Sequence, residues 1–133
     1  MQRIAIKTGS RTEFQDITLK VRDVVASSGV RSGVCQLVVP HTTAGITVNE
    51  HADPSVMEDI AAQLEAMVPW HGNYRHLEGN SPAHVKASLM GSAATLIIEG
   101  GQLVLGTWQG VFFAEFDGPR SRTLLVKITA DQP

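Results

Sequence analysis

Ala94-Thr95-Leu96-Ile97-Ile98-Glu99-Gly100-Gly101-Gln102-Leu103-Val104-Leu105 is the stretch whose reading decides the fold. Two apolar-rich runs flank a Gly-Gly pair, and glycine adopts the positive φ of a two-residue hairpin turn without a steric cost. Downstream, Val111–Phe116 and Thr123–Thr129 flank Asp117-Gly118-Pro119-Arg120, a second turn. The C-terminal region therefore reads as a four-strand meander. Upstream, residues 2–7 alternate with Ile4 and Ile6 on one face, and Phe14–Thr18 reads as a second short strand. Val34–Val39 is nearly all apolar and reads as a strand buried on both faces. Gly45–Asn49 alternates again.

Three helices fit between these strands. Ile17, Val21, Val24 and Val25 recur at helical spacing, with Gly29 placed to end the run. Asp53-Pro54 joins an acceptor at the N-cap to proline at the first helical position, and Met57, Ile60, Ala61, Leu64 and Val68 form one stripe behind it. Ser81-Pro82 repeats that signal before a short helix toward Gly91, with Val85 and Leu89 expected to face inward. The order implies an α+β fold: a largely antiparallel β-sandwich with two to three helices, in one domain over residues 1–133.

The chain has 133 residues, 43% of them hydrophobic, and a formal charge of −2, so there is no electrostatic footprint for nucleic-acid binding. No apolar run approaches the roughly 20 residues of a membrane span. The N-terminus lacks the apolar block of a signal peptide, which makes the cytoplasm the expected location. A single cysteine, Cys35, excludes an internal disulfide and a cysteine-rich zinc site, and its strand setting implies a packed, inert thiol.

All five histidines fall between residues 41 and 84. Histidine titrates near neutrality and ligates metals, so chemistry is expected there. His41 follows Pro40, which ends the buried strand and leaves His41 at the sheet rim, with Thr42 and Thr43 beside it. Asn49 and Glu50 end the next strand, and capping accounts for Asp53 but not for Glu50. His51 and His71 read as solvated. His76 lies on the loop over residues 69–80, a length often functional in a small domain. His84 sits in the first turn of the following helix, where the dipole favours neutral imidazole. Pro82 keeps the two off one helix, so this is not a His-Glu-x-x-His motif. Glu78-Gly79-Asn80-Ser81 leads into that helix N-terminus, which is either an anion site to which Lys86 could add charge or simply a turn at Gly79 with Ser81 as cap. Arg120 and Arg122 either bind phosphate or form a solvated pair on an exposed turn. Trp108 either packs in the core or lines a pocket with Gln109.

Taken together, five strings resemble the YjbQ family, also called the secondary thiamine-phosphate synthase family. They are Pro40-His41-Thr42-Thr43-Ala44, Asn49-Glu50 with Asp53-Pro54, and His76-x-Glu78-Gly79-Asn80-Ser81-x-Ala83-His84. Then come Gly101-x-Leu103-x-Leu105-Gly106-Thr107-Trp108-Gln109 and Phe113-x-Glu115-Phe116-Asp117-Gly118-Pro119-Arg120. The resemblance runs over essentially the whole chain. It implies a small trimeric β-sandwich and a transferase that joins a pyrimidine diphosphate to a thiazole phosphate, releasing diphosphate.

On that reading His41, Glu50, His76 and His84 are the catalytic candidates. Thr42, Asn49, Glu78, Gly79, Asn80, Ser81 and Arg120 would hold substrate or phosphate. His41, His76 and His84 would form a polar or metal-binding centre, with a divalent zinc or magnesium ion and no nucleotide cofactor. The expected partners are a phosphorylated small molecule and two further copies of the chain, with neither nucleic acid nor membrane. Two alternatives stay open: a metal-assisted hydrolase of a small phosphorylated metabolite, and a non-catalytic trimeric metabolite-binding module.

Overall fold

The Gly100-Gly101 hairpin forms as expected, with both glycines at positive φ (60° and 77°). The computed structural model describes residues 1–132. Its elements are β1 (Gln2–Lys7), β2 (Glu13–Asp16), α1 (Thr18–Ser28), β3 (Ser32–Val38), β4 (Ala44–Glu50) and α2 (Pro54–Met67). They continue with α3 (Ser81–Met90), β5 (Ala93–Glu99), β6 (Gln102–Val104), β7 (Gln109–Glu115) and β8 (Ser121–Ala130). The eight strands make a large sheet, β1-β8-β3-β5-β6, and a small one, β2-β7-β4, antiparallel throughout.

This topology corrects the four-strand meander. β5 and β6 pair, but β7 and β8 lie in different sheets: β8 runs between β1 and β3, whereas β7 runs between β2 and β4. Asp117-Gly118-Pro119-Arg120 is a crossover from one sheet to the other. Gly118 is indispensable to it, because a Cβ there would sit 2.2 Å from the carbonyl oxygen of Ser10.

The main core lies between the sheets. Cys35 and Leu37 from β3, Ile46 from β4, Val111 and Phe113 from β7, and Leu124 and Val126 from β8 meet there. Ile17, Val21 and Val25 bring α1 into the same core, and Gly29 ends that helix in the left-handed conformation (φ 71°). β3 alternates rather than burying both faces: Gln36 is exposed and Val38 is 40% exposed. Its inner face alone meets the core. Burial in that core pushes the Cys35 thiol up to about 11, so it is inert as expected.

A second, smaller cluster covers the outer face of the small sheet. Alternation along β7 sends Phe112, Ala114 and Phe116 outward, and α3 packs Ala83 and Ala87 against Ala114 and Phe116. The small residues let the helix approach closely. Gly45 on β4 does the same, since a Cβ there would meet the Gly91 carbonyl oxygen at 2.7 Å. α3 is thus rotated from the expected orientation. Ala83, Lys86 and Ala87 face inward, while Val85 and Leu89 are exposed.

α2 begins as expected, with the Asp53 carboxylate accepting from the Ser55 N–H at 2.9 Å. Within this helix only Met57 is fully buried. Among the described residues no helix is long and apolar enough to cross a membrane.

Candidate functional site

Three connections converge at one end of the small sheet. They are the β3–β4 loop with His41 to Thr43, the long α2–α3 loop with His76 to Asn80, and the β7–β8 crossover with Asp117 to Arg120. They enclose a polar pocket of about 460 Å³, whose lining includes His41, Thr42, His76, Glu78, Asn80, His84 and Arg120. All seven are among the expected site residues. Thr43, Asp117 and Arg122 complete its polar wall.

The floor is a buried ion pair. Glu115 is fully buried, and its carboxylate accepts from Arg122 Nε (2.8 Å), Thr8 Oγ1 (2.8 Å) and the Asp117 N–H (3.0 Å). A second bond comes from the Arg122 terminal nitrogen. Burial alone pushes the Glu115 carboxyl up; the hydrogen bonds from Arg122, Asp117 and Thr8, with the Arg122 charge, outweigh it and hold the carboxyl below the usual 4.5. Arg122 also donates to Thr43 Oγ1 at 2.8 Å, so the pair pins the loop that carries His41. Arg122 is therefore neither a phosphate ligand nor part of a solvated pair. It is a buried strut.

His41 is set by backbone. Its Nε2 accepts the Thr123 N–H at 2.9 Å, which places the ring proton on Nδ1. Burial and the nearby Arg122 charge lower its pKa below 6.5, against the opposing pull of Glu115. It is a neutral imidazole that offers a donor. His76 and His84 meet edge to face, with ring centroids 5.3 Å apart and planes at 88°. The loop supplies one ring and the first turn of α3 the other.

Asn80 precedes α3 but does not cap it with its side chain. Its Nδ2 donates instead to Asp117 Oδ2 at 2.9 Å, and its Oδ1 is buried without a partner. Arg120 in turn donates to Asp117, from Nη2 to Oδ2 at 2.9 Å and from Nε to its carbonyl at 2.8 Å. Both arginines of the pocket are thus paired with carboxylates.

The structure separates several residues that the sequence groups. Asn49 and Glu50 stand at the far end of β4 from Thr43, about 20 Å along the strand. Glu50 lines a different cleft together with His51. His51 is not simply solvated: its Nδ1 lies 2.9 Å from Asp16 Oδ2. His71 is exposed as expected. Gly79 (φ 74°) makes the turn before the helix, and neither it nor Ser81 lines the pocket.

The helix N-terminus offers little to an anion. Ala83 and His84 N–H both turn to the Asn80 carbonyl, and Pro82 has none, which leaves that of Ser81. Lys86 is buried and paired with Glu65 of α2, away from the pocket. Trp108 is 63% exposed, outside both core and pocket.

The donor set fits a metal poorly. His41 has Nε2 occupied and Nδ1 protonated, so it has no lone pair to give. His76 and His84 then supply two ligands, fewer than the three or four protein ligands of zinc sites. Among the described residues no three His, Cys, Asp or Glu side chains converge on a common point.

Fold and pocket define a class: a two-sheet antiparallel α+β sandwich with a histidine-lined polar pocket at one end of its small sheet. The family profile described as UPF0047 protein YjbQ-like matches residues 2–131. The chain belongs to the YjbQ family. It is 54% identical over 127 residues to UPF0047 protein MJ1081 of Methanocaldococcus jannaschii, covering 96% of this chain and 92% of that one. It is 46% identical over 129 residues to UPF0047 protein YugU of Bacillus subtilis, covering 96% and 98%.

Among solved structures, a YjbQ/UPF0047 family protein of Clostridium acetobutylicum superposes with a TM-score of 0.95 at 53% identity, covering 97% of this chain and 100% of that one. A YbjQ-like protein of unknown function from Sulfolobus solfataricus superposes with a TM-score of 0.94 at 34% identity, covering 98% and 96%.

These relatives overturn the thiamine-phosphate synthase expectation. They are described as UPF0047 proteins, one explicitly of unknown function, and none is described as having that activity. The pocket is consistent with the correction. A departing diphosphate needs uncompensated positive charge, and Arg120 and Arg122 are both committed to carboxylates.

Proposed function

We propose that the pocket holds a small phosphorylated molecule and that the His76–His84 pair is its acid–base group. The observation that carries this reading is the edge-to-face contact of two imidazoles inside a polar pocket. Each ring can take up or release a proton, and at this separation both reach one bound molecule. His41 Nδ1–H and the exposed outer side of Arg120 add donors suited to phosphate oxygens. The pocket's arginines carry balanced charge, so hydrogen-bond donors rather than net charge hold the phosphate oxygens.

Calorimetric titration with sn-glycerol 3-phosphate tests the reading. The phosphoester binds saturably, and glycerol does not. His84→Asn and Arg120→Ala each weaken binding at least tenfold. Equal affinity for glycerol, or full affinity in both variants, refutes it.

The proposal includes a homotrimer in the cytoplasm. Ile97 and Val104 pair across β5 and β6 and are more than half exposed, an apolar surface suited to a neighbouring copy. The lone unpaired Cys35 suits a reducing compartment. Light scattering gives three chains of 14.3 kDa if the trimer is right, and one chain if it is not.

A further inference from the structure

A second cleft, of about 380 Å³, runs under α2 along the outer faces of β2 and β7, from Glu13 to Glu50 at the far end of β4. Its floor is apolar: Phe14 and Phe112 from the strands, Met57 and Ala61 from the helix. The α2 stripe should close over such a floor, yet Ile60, Ala61 and Leu64 are only half-buried. The helix stands off the sheet and leaves the cleft open.

One wall is an oriented imidazole. The His51 N–H donates to the Trp108 carbonyl at 2.9 Å, and the ring lies against Gly110, where a Cβ would come within 2.4 Å of Nδ1. Asp16 Oδ2 lies 2.9 Å from Nδ1, while Asp16 Oδ1 accepts from the Thr18 N–H (3.0 Å) and hydroxyl (2.5 Å). A carboxylate only accepts, so a proton sits on Nδ1 and the contact fixes the ring as one wall of the cleft. The Thr18 hydroxyl in turn accepts the Val111 N–H at 2.9 Å, which fixes the arrangement to β7.

The charge of the cleft has one sign. Glu13, Asp16, Glu50 and Glu58 line it, and no lysine or arginine does. Glu13 is engaged by Gln15 and the Gly9 N–H, and Asp16 by Thr18 and His51. The Glu50 and Glu58 carboxylates have no hydrogen-bond or ion-pair partner among the described residues.

We propose that this cleft is a second ligand site, for a small organic cation: a protonated amine on a compact apolar body. The body lies on Phe14 and Phe112, and the ammonium donates to Glu50 and Glu58. An anion is repelled by the carboxylates. A bare metal ion finds no converging ligand set and gains nothing from the aromatic floor. The site shares no residue with the His76–His84 pocket and stands or falls separately from it.

The test is an NMR titration of the full-length protein with 2-phenylethylammonium as probe, read at the Met57 methyl and the His51 ring. 3-Phenylpropionate, of like shape and opposite charge, is the control. Saturable shifts with the amine, and affinity at least tenfold weaker for the acid, support the site. In Glu50→Gln/Glu58→Gln the amine's affinity falls at least tenfold, while Leu89→Gln leaves it unchanged. The proposal is overturned by an amine that does not saturate, which is also the result if a second copy of the chain covers the cleft. Equal binding of the acid, or full amine affinity in the double variant, overturns it as well. The amine-against-acid comparison on the unaltered protein decides the matter even if the double variant fails to fold.

Discussion

Glu115→Ala is the most informative single substitution for this fold. The carboxylate is fully buried, and four hydrogen bonds end on it from Arg122, Thr8 and Asp117. Removing it strands the Arg122 guanidinium, which is only 7% exposed, in the interior. Breaking a buried pair from one side costs about 3–5 kcal/mol, because the remaining charge keeps its desolvation penalty and loses its compensation. For a domain of this size that is a fall in Tm of about 10–20 °C.

Urea unfolding followed by circular dichroism measures the loss, and a companion Glu115→Met/Arg122→Met variant separates the causes. If stranded charge is the cost, the double variant is more stable than the single one. The sign of the pH dependence follows from the depressed Glu115 value. Its contribution is fully present above the usual 4.5 and is lost as pH falls below that through the folded value. A single-variant loss under about 1 kcal/mol, the scale of an exposed pair, refutes the reasoning.

Three further outcomes follow. Nitrogen-15 NMR shows His41 as the Nδ1–H tautomer, still neutral below 6.5; because its folded value is depressed, its contribution to stability declines as pH falls below 6.5. A proton on Nε2 contradicts the assignment. Glu65→Gln strands the buried Lys86 ammonium and lowers stability by about 1–3 kcal/mol, whereas Lys86→Met costs less, in a paired denaturation experiment. On α3, Leu89→Gln changes stability by less than about 0.5 kcal/mol, while Ala87→Leu forces helix and sheet apart and costs about 1–3 kcal/mol. Calorimetric melting of the two variants checks the direction.

What the chain determines by itself is local. The Gly100-Gly101 turn, the Asp53-Pro54 helix start and the Gly29 helix stop each depend on the conformational freedom or hydrogen-bonding groups of adjacent residues. All three are legible in the sequence and present in the fold. So is the location of the histidine pocket, because short motifs place His41, His76 and His84 beside loops. Only the tertiary structure decides what those residues face. Arg122 meets Glu115 and Thr43, the latter 79 positions away, so its burial leaves no local trace.

The direction of β7 and β8 into separate sheets, and the rotation of α3 onto Ala83 and Ala87, are settled by packing across the two sheets. For the same reason Glu50, close to His41 in sequence, is carried to the opposite end of β4. There it faces His51 and the open cleft under α2, where side chains from three distant segments set the chemistry.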